Sequence, residues 1–279
     1  MHGIAPDNGP ATFGASQRRR RVGLGAAFRT AWPPAALLAA LVVGWAVAVR
    51  ALGVSEDVLP APDLVARSTW DDRAALWPAM VTTTREAVLG LLLAIVVAVA
   101  AALVIDRWSV ARRSLYPLIV ASQTLPIIAL APLVVIWFGF GERPKIVLVA
   151  LFTFFAIAVG LVQGLAATDR DAVRVVRTMG ATRRQILWRV RLPSALPSFF
   201  TGLKVSVTYA YVSATVAEFV GAEEGLGVYM TTAKNAFRTD LVFGAVVVTA
   251  LLTLLLFRLV TLVERLAMPW RPPPERGVT

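Results

Sequence analysis

Six stretches of largely apolar residues, at 34–49, 87–105, 115–140, 146–166, 196–220 and 241–263, constrain this chain more than any other feature. About 20 apolar residues in a helix cross a hydrocarbon core of roughly 30 Å, and all but the first stretch approach or exceed that length. Inside lipid every backbone N–H and C=O must find a partner within protein, which a helix supplies from its own residues. A soluble fold of 279 residues has no core large enough to hide six such helices. The expectation is an all-α polytopic membrane protein with six transmembrane helices. A charged fraction of 16%, against about 25% in soluble domains, points the same way.

The formal net charge of +11 then becomes a question of placement. Arg18 to Arg21 and Arg29 stand in the amino-terminal tail against Asp7 alone, whereas the loop after the first stretch carries Glu56, Asp57, Asp63, Asp71, Asp72 and Glu86. Arg107, Arg112 and Arg113 follow the second stretch, and seven arginines against two aspartates lie between the fourth and fifth. Basic loops alternate with acidic ones, which places both termini in the cytoplasm of a multi-pass protein in the cell membrane. The turn with Glu142, Arg143 and Lys145 departs from the alternation. Nucleic acid is not an expected partner, since these arginines sit beside membrane ends without the aromatics that stack bases. With no Cys, a single His at position 2 and no clustered acids, neither a metal site nor a catalytic constellation is expected. The chain does not read as an enzyme.

Four regions follow: a basic disordered tail at 1–33, a first helix with its external loop at 34–80, a core at 81–266, and a carboxyl tail at 267–279. The first apolar stretch reads as a retained helix, because no small-residue cleavage site follows it. Ala94, Ala98 and Ala102, and likewise Gly160 and Gly164, recur at four-residue spacing and would let helix backbones approach closely. Pro126 and Pro132 predict a kink in the third stretch, either static or part of a gate. Gln123 and Thr124 precede the first proline and would be costly against lipid. Lys204 either snorkels to the surface, meets a polar group in the bundle or lines a path; Glu218 lies near the outer end of the same helix. These six residues form the candidate path or gate. No chain of ionisable groups for a proton relay is legible.

The loop at 168–195 is the most informative segment. Val173, Val176 and Met179 recur at helical spacing with Arg170, Arg174 and Arg177 on other faces. Gly180-Ala181-Thr182 predicts a stop and a new N-cap, and a second helix runs through Ile186, Leu187 and Val190 until Pro193 ends it. On composition alone, this pair could equally rest on anionic membrane lipid.

The spacing of Gly180, Val190 and Leu192-Pro193 resembles the signature loop of binding-protein-dependent ABC transporter permeases: EAA, three residues, Gly, nine residues, Ile, one residue, Leu-Pro. The stretches 122–155 and 192–230 are similar to the branch that imports sulfonates, taurine, nitrate or vitamin precursors such as pyrimidines and riboflavin, and the likeness runs from about 80 to 265. It implies a type I importer-like fold and a coupling loop that docks on an ATPase through Asp171, Arg174, Val175, Val176, Gly180, Ala181, Val190, Leu192 and Pro193. Arg174 stands where the family has its glutamate. The outer loop with Gly221, Gly225 and Gly227 would re-enter the mouth of the bundle or meet an extracytoplasmic substrate-binding protein. Two ATPase subunits and a second permease copy are implied as further partners. No phosphate-binding loop occurs in the chain, so ATP and Mg belong to the ATPase, and no cofactor is expected here. A secondary transporter or channel, driven by an ion gradient, is the alternative; it predicts intramembrane ionisable pairs or paired broken helices.

Overall fold

The computed structural model describes residues 24–270, and every regular element among them is a helix. In chain order these are α1 (Leu24–Leu52), α2 (Pro62–Asp71), α3 (Arg73–Arg107), α4 (Ser109–Ser122), α5 (Ile127–Phe138), α6 (Glu142–Ala166), α7 (Arg170–Thr178), α8 (Arg183–Ile186), a π-helical turn at Leu187–Arg191, α9 (Leu192–Glu218), α10 (Leu226–Asn235) and α11 (Thr239–Ala267). Segments of α1, α3, α6 and α11 are long and apolar enough to cross a membrane. The six apolar stretches fall on α1, α3, the α4–α5 pair, α6, α9 and α11.

Helix α1 is a unit of its own and begins at Leu24, so residues 24–33 are helical and not the tail expected there. The remaining tail expectations, at 1–23 and 271–279, lie outside the described residues. Leu37, Leu38 and Leu41 of α1 are exposed, as an apolar helix facing lipid requires.

Three helices, α3, α6 and α9, build the core of the larger unit. Small residues set how closely they pack. A Cβ on Gly160 would stand 2.6 Å from the Ser198 carbonyl oxygen, and one on Gly164 would stand 2.8 Å from that of Ala195. Gly202 answers from α9, its Cα face pressed against the Ala156 carbonyl. In lipid there is no hydrophobic drive between helices, so this backbone contact and its dispersion energy carry the association. Ala94, Ala98 and Ala102 turn the buried face of α3 to the same core. Ser206 adds a cross-helix bond, its Oγ donating to the Thr153 carbonyl at 2.6 Å.

The third stretch is not one kinked helix. Helix α4 stops at Ser122 and α5 starts after Pro126, which occupies the N-cap position with ψ of 123°. Proline lacks the N–H that would continue the ladder and its ring clashes with the preceding turn, so the backbone breaks between Gln123 and Pro126. Pro132 is absorbed within α5, and Ala131 and Val134 seat α5 on α6 and α9.

Candidate functional site

The loop between α6 and α9 is a rigid helix–turn–helix. Asp169 caps α7, its side chain accepting from the Asp171 N–H at 2.9 Å, and Asp171 pairs with Arg174 at 3.0 Å. Gly180 ends α7 with φ of +84°: its N–H donates to the Arg177 carbonyl, and the Ala181 N–H donates back to that of Val176. This double bond pattern is a Schellman motif, whose left-handed residue favours glycine. Thr182 then starts α8 with a reciprocal capping box to Gln185.

Pro193 does not end the second helix, contrary to expectation. Helix α8 runs through the π turn at Leu187–Arg191 straight into α9, where Pro193 sits in the first turn. The π turn directly ahead of it relaxes the hydrogen-bond ladder where the proline lacks an N–H, so the chain continues unbroken. Val190, Leu192 and Pro193 are therefore part of a continuous rod into the membrane.

Arg191 fixes that rod to the core. Its guanidinium donates to both oxygens of Asp106 at 2.7 Å and to the Leu165 carbonyl at 2.9 Å. One side chain thus joins the ends of α3 and α6 to the start of α9. On the loop, Val176 and Ala181 are half-buried, whereas Val175 and Met179 are 58% and 80% exposed. Val175 and Met179 thus form an apolar knob on a braced element.

At the helix break, Gln123, Thr124 and Pro126 are exposed, and Thr124 Oγ1 donates only to the Ala121 carbonyl. Non-helical backbone at membrane depth is tolerated where it lines a water-filled cavity or meets protein. Ile128, Ile136 and Trp137 of α5 are exposed alongside it.

A buried polar cluster occupies the other end of α3. Lys145 Nζ donates to Glu86 Oε1 at 2.7 Å, with both side chains almost fully buried. Among the described residues, no hydrogen-bond donor reaches Glu86 Oε2. Glu218 lies in the same cluster: it accepts from Thr83 Oγ1 at 2.6 Å and from the Gly227 N–H at 2.5 Å. The Leu226 N–H donates to Thr83 Oγ1 at 2.8 Å. Thr83 and Glu218 together satisfy the first amides of α10, a helix N-terminus that also favours a carboxylate electrostatically. Gly225, at φ of +134°, packs directly on the Glu218 carboxyl, and a Cβ on Gly227 would stand 2.9 Å from Glu218 Cβ. Gly221, at φ of +72°, lies under the Phe140 ring. The segment with Gly221, Gly225 and Gly227 therefore leads into an anchored helix and is not only a turn.

Glu86 and Lys145 escaped the sequence expectations because both fell just outside an apolar stretch. The sequence offers no chain of ionisable groups; the structure pairs Lys145 with Glu86 and, separately, gives Lys204 the polar partner in the bundle that was one of its three readings. Lys204 Nζ donates to Glu264 Oε2 of α11 at 2.8 Å. Beyond the cluster, the Tyr229 hydroxyl donates to Asp72 Oδ2 at 2.5 Å. Burial and the neighbouring Asp72 carboxylate push that phenol above its ordinary value. Among the described residues, no group of three or more His, Cys, Asp or Glu side chains could hold a metal ion.

Residues 87–268 match the family model described as the binding-protein-dependent transport system inner membrane component. The formylaminopyrimidine transport permease protein ThiX of Halalkalibacterium halodurans is 38% identical, over 83% of this chain and 92% of its own length. The riboflavin transport system permease protein RibX of Chloroflexus aurantiacus is 34% identical, over 87% and 92%. A solved structure of the MetNI methionine ABC transporter in an inward-facing conformation superposes with a TM-score of 0.60, at 19% identity, over 70% of this chain and 97% of that chain.

Proposed function

The chain belongs to the family of binding-protein-dependent transport system inner membrane components, and from that membership we propose how its geometry serves transport. It is an ABC importer permease, a non-enzymatic subunit that spans the membrane. In our reading the helix–turn–helix from Asp169 to Arg191 is its coupling element. The ATPase seats on the exposed Val175 and Met179, and Gly180 sets the angle between the two short helices. The observation that carries this is Arg191, because a push on α7 and α8 reaches α3, α6 and α9 together through its three hydrogen bonds. Rigid transmission of that kind shifts an inward-open to outward-open equilibrium.

ATP and Mg would be held by two ATPase subunits, and a binding protein would deliver solute to the face bearing α10. The broken α4–α5 segment supports a path shared with a second copy, since its exposed Gln123, Thr124 and apolar α5 face need a partner or water. Both termini would face the cytoplasm of the cell membrane. By likeness to ThiX and RibX, the solute would be a vitamin or vitamin-precursor heterocycle.

The chain has no native cysteine, which makes the docking reading directly testable. Met179→Cys should cross-link to an ATPase encoded beside it, in the assembled complex and in an ATP-dependent manner. Absence of a cross-link in a complex that still transports would overturn the assignment.

A further inference from the structure

Behind the coupling element, at the ends of α3 and α6, lies a cavity of about 900 Å³ whose lining carries far more positive than negative charge. Arg107 and Arg112 reach it from the α3–α4 junction. From α7 come Arg170, Val173, Arg174 and Arg177, which at spacings of three and four residues form one stripe of that helix. Arg183 and Arg184 close it from α8. The only acid in the lining is Asp106, and Arg191 already holds both of its oxygens. Apart from Arg174 and Arg191, these arginines have no ion pair or side-chain hydrogen bond among the described residues.

Guanidinium groups gathered from four elements around one concavity repel one another unless an anion sits among them. Their planar forks suit the oxygens of a phosphate, which they bind in bidentate fashion. The rest of the lining is Thr168 and the apolar Leu165, Ala166, Val173, Ile186 and Leu187. Trp108 is 55% exposed at the α3–α4 junction, and an exposed tryptophan beside a span favours the membrane–water interface. The exposed Val175 and Met179 lie off that lining, so the cavity and the proposed docking knob are separate surfaces.

We propose that this cavity binds the phosphate headgroup of an anionic phospholipid of the adjoining leaflet, with the apolar lining taking the start of its acyl chains. The lipid would brace α7 and α8 against the ends of α3 and α6, filling the space that Arg191 spans at one edge. This inference needs only a membrane-embedded chain and does not depend on where the ATPase docks.

The test uses the purified full chain without ATPase, titrated in neutral detergent with phosphatidylglycerol or phosphatidylcholine and read by native mass spectrometry. Wild type should retain phosphatidylglycerol with a roughly tenfold preference, of the order that one or two arginine–headgroup contacts supply. Arg112→Gln/Arg177→Gln should abolish the preference, and each single substitution should reduce it. Arg113→Gln/Arg189→Gln removes the same charge from arginines outside the lining and should leave the preference intact. Excess inorganic phosphate should compete with the lipid, since the phosphate is the group recognised. Equal loss in both double variants would reduce the effect to diffuse interfacial charge and overturn the proposal. So would a wild type without preference, or one that binds inorganic phosphate but not the lipid. Cavity variants that keep the lipid yet fail to co-purify with the ATPase would also overturn it, assigning the arginines to an acidic protein surface.

Discussion

Arg191 joins the coupling segment to two further core helices, so removing it should cost both stability and transmission. Taking away one partner of a fully buried ion pair costs about 3–5 kcal/mol, because the surviving charge is left uncompensated. Here 27% of the Arg191 side chain and 21% of that of Asp106 stay exposed, so water recovers part of the loss. Arg191→Met strands the Asp106 carboxylate and the Leu165 carbonyl, and should cost about 2–3 kcal/mol. Asp106→Asn keeps one acceptor oxygen and leaves the Leu165 bond in place, and should cost roughly 1–2 kcal/mol. Equilibrium unfolding in mixed micelles reads these values, and the double variant should fall short of their sum by about 1 kcal/mol or more. In the assembled transporter, Arg191→Met should leave ATP hydrolysis running while solute uptake falls. Additive single and double variants, or an Arg191→Met transporter whose uptake stays in proportion to hydrolysis, would refute the reasoning.

Gly180→Val places a β-branched residue at φ of +84° and should cost about 1–2 kcal/mol or more, without impairing membrane insertion. Uptake should be lost in that variant and largely kept in Gly180→Asn, since Asn tolerates the left-handed region; uptake assays on matched membrane fractions check both. Gly202→Val drives a side chain into the Ala156 carbonyl and should destabilise the α6–α9 crossing by roughly 1–3 kcal/mol, as thermal melts will show. The same change at Gly44, which has open space around it, should leave the melt unaltered. Tyr229 gives a pH signature: its folded phenol is raised above its ordinary value of about 10, so its contribution is complete below that pH and declines as pH rises through the folded value. Wild type should therefore lose stability relative to Tyr229→Phe above about pH 10, and parallel melting curves for the two would contradict the assignment.

What the sequence revealed depended on whether a residue's role was local. The apolar stretches, the Gly160 and Gly164 spacing and the Gly180–Thr182 stop and cap are all properties of a few neighbouring residues, and each has its counterpart in the structure. Pro126 was legible as a perturbation, but its strength was not, since a kink and a break differ in what neighbours supply to the freed carbonyls. Pro193 was misjudged for the opposite reason: only the π turn before it shows that the helix passes through. The partners of Glu86, Lys145 and Glu218 were beyond reach, because they lie 59 and 135 positions away along the chain. Lys145 had stood out as a cation on an acidic side, and its pairing with Glu86 removes that anomaly.

The two polar clusters share a spacing that ties the fold to the membrane. On α3, Glu86 and Asp106 stand 20 residues apart, and on α6 the same interval separates Lys145 from the Leu165 carbonyl that Arg191 engages. At 1.5 Å per residue each interval is about 30 Å, the thickness of a bilayer's hydrocarbon core. Between the clusters, glycine and alanine contacts hold α3, α6 and α9 together, and Lys204 of α9 offsets its charge against Glu264 of α11. Charged groups lock them at either face, with α10 attached at one end and the coupling element at the other. On the proposed coupling role, a displacement entering through Arg191 would meet helices tied to one another near both ends and would tilt them as a unit. That is the motion by which an element on one membrane face could open or close a path at the other.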